Sequence, residues 1–320
     1  MAIATLPTYT LPASKFLASI TTFINQLRFK DTLHSTDLVN TFVDSCRVGK
    51  VDTGKGIVFT FKKALQPVND YSETSSVLSI TKPSAVQEII AIDTYKFIPI
   101  SISYQLMADA VPQGALVDTF VSYLYSLLED TMQFHLFDVL VAELLAWTPV
   151  QATQTLTIDL ISETGLSGAD LEAVKKMNAN KIAKEIRLLL NNLQYKSTAY
   201  TDVSTTTTAV NKDQLRLIMN DEFETNFLAD SMASLFHDEK VGEMLEGPSK
   251  IVLPKVNFAL APTTIGYLFD KEKLALADYY KLTMSFTDAS NLFTNTFLHF
   301  AYGKGVFANA IGIKIVANYQ

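Results

Sequence analysis

The sequence predicts an α+β fold in which a long β-hairpin and one long helix precede a module of mixed strands and helices. Apolar residues recur at helical spacing from Leu116 to Trp147, for about eight turns. Strand-like runs stand on both sides of that helix, and the chain beyond it alternates strand and helix patterns. This alternation suggests a compact α/β or α+β module after the long helix, within a chain of α+β class.

Residues 1–45 are predicted to form an arm and a short helix. Pro7 and Pro12 favour an extended start, which lacks the basic residues and long apolar run of a signal peptide. Apolar residues then follow at helical spacing: Phe16, Leu17, Ile20, Phe23, Ile24 and Leu27. This amphipathic helix has two candidate partners, the chain's own core and a neighbouring copy, and the sequence leaves both open.

Between Arg47 and Pro99 the pattern predicts a long β-hairpin. Its first strand is Gly56–Lys62, its second run extends from Ile89 to Ser103, and the polar segment 65–84 forms a broad tip. A hairpin of this kind has little core of its own, so a neighbouring element or subunit must stabilise it.

The helix at 116–147 is predicted to be continuous, because no Gly, Pro, Lys or Arg lies between Gly114 and Pro149. Its apolar stripe predicts burial of one side. Acidic residues such as Glu129, Asp130 and Asp138 are costly in a bilayer, so the helix is not predicted to span a membrane.

The rest of the chain predicts a compact module of short elements. A helix is predicted at Asn178–Leu193, and the Thr-rich segment 204–208 is predicted to be an exposed loop tip. A further helix start is predicted at 220–228. Strands are predicted at 155–161, Gln214–Met219, Ile251–Leu253, Thr264–Phe269, Tyr280–Phe286 and Gly303–Ala317.

No catalytic, cofactor or metal site is predicted. The four histidines are far apart in sequence, and the single cysteine, Cys46, excludes an intrachain disulfide and a zinc ribbon. His135 falls on the stripe of the long helix, where a hydrogen-bonded core or interface role is favoured over a general base. The protein is therefore not predicted to be an enzyme.

One glycine-rich segment approaches a phosphate-binding loop. Gly49, Gly54, Lys55 and Gly56 give G-x-x-x-x-G-K-G, but that loop requires Ser or Thr after the Lys and a helix behind it. Here a strand pattern begins at Gly56. The segment is therefore interpreted as a bend into the hairpin.

Composition and charge exclude further classes of function. The net charge is −7 and no basic patch is visible, which argues against nucleic-acid binding. Only 18% of residues are charged and 48% are hydrophobic. Average proteins have about 25% charged residues, so the chain is expected to bury much of its exterior, as it would against copies of itself.

Charge is also segregated along the chain. No Lys or Arg occurs between Lys96 and Lys175, a stretch with many carboxylates, whereas the arm and hairpin carry most basic residues of the first third. Opposite charges on separate elements suit docking between copies, and a simple solvated surface explains them equally well.

The order of these elements resembles the major capsid protein of tailed bacteriophages, a fold shared with encapsulins. The resemblance rests on segments 93–147 (DTYKFIPISISYQLMADAVP and the long helix), 215–232 (LRLIMNDEFETNFLADSM) and 299–316 (HFAYGKGVFANAIGIKIV). It implies an N-terminal arm at 1–45, an extended loop overlapping a neighbouring subunit at 46–92 and a peripheral domain with its spine helix at 93–149. It further implies an axial domain at 150–290 and return strands to the peripheral domain at 291–320.

The resemblance implies a structural subunit that self-assembles, as hexamers and pentamers, into an icosahedral capsid shell enclosing the viral genome. Its implied partners are copies of itself, with scaffolding, portal and decoration proteins as further candidates. Packaged DNA would be a neighbour without specific contacts, and no membrane is expected. The implied location is the virion, after assembly in the host cytoplasm. Two alternatives stay open: an encapsulin-like cellular compartment, and a soluble α/β enzyme with a carboxylate site.

Overall fold

The computed structural model describes residues 37–50, 57–63, 85–103, 117–203, 207–220, 249–253, 260, 263–288, 290 and 293–320. Three α-helices occur among them: α1 (Asp37–Cys46), α2 (Val117–Ala146) and α3 (Gly168–Asn192). The same residues contain eleven strands: β1 (Arg47–Lys50), β2 (Ile57–Lys63), β3 (Ala85–Ala91), β4 (Thr94–Ser103), β5 (Thr155–Leu160), β6 (Leu215–Asn220), β7 (Ser249–Leu253), β8 (Thr264–Asp270), β9 (Leu274–Asp288), β10 (Phe293–Val306) and β11 (Gly312–Tyr319).

The chain divides into two compact units. The described part of unit 1 lies within 37–41, 93–137 and 279–302, and that of unit 2 within 42–92, 138–278 and 303–320. Helices α1 and α2 and strands β9 and β10 each contribute residues to both units.

Unit 1 is a sheet with a helix on one face. Strands β4 and β10 pair antiparallel from Thr94↔Tyr302 to Ser103↔Phe293. β9 lies beside β10, with the Ser285 and Thr296 hydroxyls 3.0 Å apart. Helix α2 covers the face that carries Phe300 and Tyr302, since His135 lies edge-on to both rings.

Unit 2 is built on a five-stranded mixed sheet in the order β5-β11-β8-β6-β7. The apolar side of α3 belongs to the same buried cluster as the strand residues Leu215, Leu217, Leu268 and Ile313. The buried residues of α3 recur at helical spacing, as the sequence predicts: Ile182, Ile186, Leu189 and Leu190.

The predicted hairpin is present in unit 2 as β2 and β3. Its antiparallel register extends from Ile57↔Ala91 to Lys63↔Ala85. Strand β1 pairs in parallel with the first residues of β9, where Arg47 is opposite Leu276.

Helix α3 corrects one prediction, because it begins at Gly168 and not at Asn178. Its first turns are mostly exposed, so they carry no buried stripe by which to recognise them. Ala, Leu, Glu and Lys form these turns, and such residues favour a helix without burial.

Two predicted strands are each divided in the structure. The run Ile89–Ser103 separates at Ile92 and Asp93 into β3, which pairs with β2, and β4, which pairs with β10. The run Gly303–Ala317 lies partly in β10 and partly in β11. In the turn between β10 and β11, backbone N–H groups bond outside the two strands: Phe307 N donates to Lys273 O, and Asn309 N donates to Glu88 Oε1.

Residues 291–320 are predicted as return strands to the peripheral domain, and the structure corrects this for the last strand. β10 does pair with β4, but the last strand, β11, lies between β5 and β8 in unit 2. The turn at 307–311 accounts for the difference, because it separates two strands that the glycine-rich sequence presents as one.

Three predictions lie outside the described residues. They are the arm with its helix at 16–27, the hairpin tip at 65–84, and the helix predicted to start at 220–228, of which only Asn220 is described.

Candidate functional site

The chemically reactive side chains singled out in the sequence do not assemble into a reaction centre in the described chain. No group of three or more His, Cys, Asp or Glu residues that could hold a metal ion occurs there. His135 is hydrogen-bonded to the Tyr302 hydroxyl at 2.9 Å, which confirms the predicted packing role. His299 lies beside the rings of Phe97 and Phe297, and His34 and His237 fall outside the described residues.

The glycine-rich segment is followed by a strand. Gly49 belongs to β1, residues 51–56 lie outside the described chain, and β2 begins at Ile57. A phosphate-binding loop would need a helix N-terminus at this point. The strand that begins at Ile57 argues against a phosphate-binding loop, and the predicted bend itself lies outside the described residues.

Cys46 ends α1 and is buried against Arg216. The Arg216 guanidinium donates to Cys46 Sγ at 3.6 Å and to the Ser45 carbonyl. Burial raises the pKa of the Cys46 thiol, and the nearby guanidinium partly opposes that rise. The thiol is thus kept neutral and screened from solvent, so this contact fastens α1 to β6 and does not activate a nucleophile.

A second buried polar cluster surrounds Lys273. The side chain is fully buried, and its ammonium group lies 2.8 Å from Asp202 Oδ2 and 3.1 Å from the Ala310 carbonyl oxygen. The same ammonium group lies 5.2 Å from the centre of the Trp147 ring. Gln154 Nε2 donates to the other Asp202 oxygen at 2.6 Å. The carboxylate and the ammonium group therefore satisfy each other with additional hydrogen bonds, as burial of a charge pair requires.

The Lys273 cluster joins loops that are distant in sequence. It links Trp147 after α2, the loop before β5 and Asp202 in the loop after α3. It also includes Lys273, in the turn before β9, and Ala310, in the turn after β10. Gly312 makes room for it, because a Cβ there would lie 2.9 Å from Lys273 Cε and 3.0 Å from the Trp147 ring. The cluster fixes the loops of unit 2 and has the character of a structural element.

Among the described residues, an exposed apolar surface lies on the sheet of unit 1, opposite α2. We call it the open face: Tyr95 and Phe97 on β4, Tyr280, Leu282, Met284 and Phe286 on β9, and Phe297 and His299 on β10. Tyr95 is 61% exposed, Phe97 58% and Phe286 56%. None of these eight positions is a Lys, Arg, Asp or Glu.

The side chains of the open face contact one another across the strands. The ring centres of Phe97 and Phe297 are 6.0 Å apart, those of Phe286 and Phe297 6.2 Å, and those of Tyr95 and Tyr280 6.5 Å. Large contiguous apolar patches on a protein surface mark interaction sites. The open face is therefore the part of unit 1 best suited to bind another polypeptide segment.

The charges of α2 are partly balanced within the chain. In unit 1, Glu129 forms an exposed ion pair with Lys281, and in unit 2, Glu143 lies 2.6 Å from Lys304. Both lysines come from strands that follow the acidic stretch by more than a hundred residues, so the sequence does not reveal the pairing. No helix of the described residues is long and apolar enough to cross a membrane.

The whole fold is similar to solved capsid structures of two phages. The capsid structure of Staphylococcus phage Andhra matches with a TM-score of 0.58 and 10% identity, covering 98% of this chain and 88% of that one. The capsid structure of cyanophage P-SCSP1u matches with a TM-score of 0.55 and 12% identity, covering 87% of this chain and 88% of that one. No curated protein matches the sequence.

These likenesses define the fold as that of a phage capsid subunit and confirm the predicted α+β class. Residues 52–313 match the Phi29-like phage major capsid protein family. The chain belongs to this family, and it is a structural subunit of a phage capsid shell. The family assignment confirms the capsid prediction over the encapsulin-like compartment and the soluble enzyme.

Proposed function

We propose that the subunit closes an icosahedral shell around the viral genome as hexamers and pentamers of itself, with the β2–β3 hairpin overlapping a neighbouring subunit. The observation that carries this proposal is that, among the described strands, β2 and β3 pair only with each other. Isolated two-stranded hairpins are marginally stable in water. A hairpin of this kind gains stability when a further surface covers it.

Only one side of the hairpin base is held by its own unit. Ile90 is buried, Glu88 accepts a hydrogen bond from Asn309 N at 2.9 Å, and a Cβ on Gly303 would lie 2.5 Å from the Ala91 carbonyl oxygen. Ile89, on the opposite side, is 58% exposed. The exposed side supports a contact with a neighbouring copy.

The proposal also assigns a role to each region of the chain. Residues 1–45 act as an arm, 46–92 as the overlapping loop, 93–149 as the peripheral domain and 150–290 as the axial domain near capsomer axes. β10, which pairs with β4, is the strand that returns to the peripheral domain. The subunit catalyses no reaction and holds no cofactor, in keeping with the structural role of its family.

Assembly is proposed to occur in the host cytoplasm, with scaffolding, portal and decoration proteins as further partners. The acidic net charge of −7 supports a shell that encloses DNA without binding it specifically.

The adjacent residues Ile89 and Ile90 provide a matched test. Ile89→Asp should leave the thermal unfolding of the subunit unchanged but reduce shell formation, because it places a charge on the exposed side of the hairpin. Ile90→Asp should lower the unfolding temperature, because its side chain is 4% exposed. Each variant is expressed alone and with the product of a neighbouring gene, and the shells are counted in negative-stain images.

Deletion of residues 68–79 in the hairpin tip should likewise give folded subunits that form few shells. Shells of normal number and heat stability from both the deletion and Ile89→Asp would show that the hairpin has no role between subunits.

A further inference from the structure

We propose that the solvent-facing side of α3 binds the phosphate backbone of duplex DNA without regard to base sequence. We call this side the basic face, and it consists of Lys176, Lys181, Lys184 and Arg187. Its role in the shell rests on the proposed function, because that role requires a shell that encloses DNA. The binding itself is a property of the single subunit and is tested separately.

The fold of α3 gathers the four cations on one side of the helix. The opposite side is buried in the core of unit 2, at Ile182, Ile186 and Leu190. The basic residues follow one another at intervals of five, three and three positions. With 3.6 residues per turn, these intervals keep all four side chains within about 140° of the helix circumference. In the sequence they are separated mostly by residues of the buried side, so no basic run is visible.

The charge of the basic face is not neutralised by the described part of the chain. All four side chains are exposed, and none of them forms an ion pair with a described residue. By contrast, Lys273, Lys281 and Lys304 each have a carboxylate partner. Like charges three residues apart on a helix repel each other, and a bound anion removes that repulsion.

Carboxylates are also sparse beside these cations. Between Lys176 and Arg187 the one acidic residue is Glu185, which is half-buried at the border of the exposed side. Asn180 and Asn191 are exposed on the same side as the cations. Side-chain amides donate hydrogen bonds to phosphate oxygens. The exposed side therefore offers cations and neutral donors to an anion.

A linear polyanion fits this array of charges. Lys176 and Arg187 are eleven positions apart, which corresponds to about 16 Å along the helix. One strand of a DNA duplex presents about five phosphates over the same length. Separate carboxylates on another copy are a poorer match, because Glu129, Glu143 and Asp202 already have lysine partners.

The acidic net charge does not oppose this contact. The value of −7 belongs to the whole chain, whereas α3 carries five basic and three acidic residues. At physiological salt the Debye length is about 8 Å, so charges on distant elements are screened. Counterion release depends on the cations that reach the phosphates. A basic face on an acidic subunit therefore gives weak contacts that are independent of sequence.

The first experiment measures the affinity of the full-length, unassembled subunit for a short DNA duplex by fluorescence anisotropy. Four phosphate contacts predict that the affinity falls about 100-fold as salt rises from 50 to 200 mM. Lys181→Gln with Lys184→Gln should weaken binding at 50 mM and reduce that fall to about tenfold. The matched control, Lys96→Gln with Lys271→Gln, removes two exposed lysines outside α3 and should behave like the parent.

Three results of this experiment would overturn the proposal. The first is no binding at 50 mM salt with the parent subunit at up to about 0.1 mM, the weak end of nonspecific DNA affinities. The second is the same salt dependence for the two double variants. The third is a strong preference between two duplexes of different sequence, because phosphate contacts carry no sequence information.

The second experiment uses DNA-filled shells treated with formaldehyde, which links lysine amines to DNA. We expect several-fold more DNA adducts on Lys181 and Lys184 than on Lys271. A carbodiimide, which links lysines to carboxylates, tests the alternative of a protein contact. Links from Lys181 and Lys184 to acidic residues of a second copy, without DNA adducts, would overturn the proposal. If no DNA-filled shells form, the proposed function fails, whereas the duplex experiment still decides whether α3 binds DNA.

Discussion

The buried ion pair between Lys273 and Asp202 holds two loops of this subunit together. Lys273 and Asp202 lie far apart in sequence and meet 2.8 Å apart below the Trp147 ring. A buried pair of this kind contributes little net stability against an apolar replacement, but either partner is very costly to bury alone. The pair therefore makes the loops of unit 2 depend on one another.

The first prediction compares two lysines. Lys273→Met should destabilise the subunit by about 3–5 kcal/mol, because Asp202 is left buried without its cation. Lys281→Met removes an exposed pair with Glu129 and should cost about 1 kcal/mol or less. Urea unfolding of the purified, unassembled subunit measures both. Adding Asp202→Asn should recover part of the Lys273→Met loss, and equal losses from the two lysine variants would contradict a special role for the buried pair.

The second prediction concerns pH and Cys46. Burial raises the thiol pKa above its ordinary value of 9.0 in the folded state, so the unfolded chain loses its proton first as pH rises. The contribution of the Cys46 thiol to the free energy of unfolding is fully present below the thiol pKa of the unfolded chain. It is lost as pH rises from that value to the thiol pKa of the folded protein. Unfolding free energies should therefore decline above about pH 9, and less steeply for Cys46→Ala. Parallel pH profiles for the two proteins would show that the thiol does not contribute.

Neither of these polar contacts could be predicted from sequence. Lys273 stands in the charged run DKEK, which reads as a solvated turn, and its partner Asp202 is in another loop. Arg216 lies within a strand pattern and reaches Cys46 from far along the chain. Sequence patterns report local spacing, and these contacts are created only when the loops come together.

Among the elements, α2 was the most predictable. Its period is maintained for 30 residues without a breaker, and the predicted and observed ends differ by one residue. The β10–β11 turn was not predictable, because Gly and small residues occur throughout 303–317 and give no local boundary. The open face was not predicted because the alternating residues Ile98, Ile100 and Ile102 mark the other side of β4 as the buried one.

The third prediction tests the buried side of α2 with two adjacent leucines. Leu144 is fully buried and Leu145 is 38% exposed. Leu144→Asp places an unpaired charge in the core and should prevent folding, since the apolar loss alone is about 2–5 kcal/mol. Leu145→Asp should remain folded, with a change of about 1 kcal/mol. Circular dichroism and soluble yield distinguish them, and a folded Leu144→Asp protein would mean that this side of α2 is not core.

At the scale of the whole molecule, the order of elements carried more information than any motif. The long helix, the hairpin and the mixed module suffice to indicate a phage capsid subunit, and the family match confirms it. How copies contact one another depends on surfaces, and surface chemistry is only weakly encoded in local patterns. The exposed apolar side of the hairpin, rather than any reactive group, is the feature on which the proposed contact between copies is expected to depend.

The fourth prediction concerns the electrostatics of assembly. The hairpin carries Lys62 and Lys63 at its far end from Ile57, and the acidic stretch from Asp109 to Glu172 contains α2. If the hairpin docks near that stretch of an adjacent copy, the attraction must be modest, because Glu129 and Glu143 already have lysine partners within the chain. Each exposed pair contributes roughly 0.2–1 kcal/mol and mainly alters the association rate.

Assembly followed by light scattering should therefore slow as salt rises from 0.01 to 0.1 M, where the Debye length falls from about 30 Å to about 10 Å. Reversal of Lys62 and Lys63 to Glu should slow assembly at low salt and remove or invert this dependence, because the attraction that salt screens becomes a repulsion. The matched control reverses Lys175 and Lys176 on α3, which changes the net charge by the same amount outside the hairpin. If both double variants slow equally, net charge governs the rate; if the hairpin variant assembles at the parent's low-salt rate, apolar contacts alone guide the subunits together.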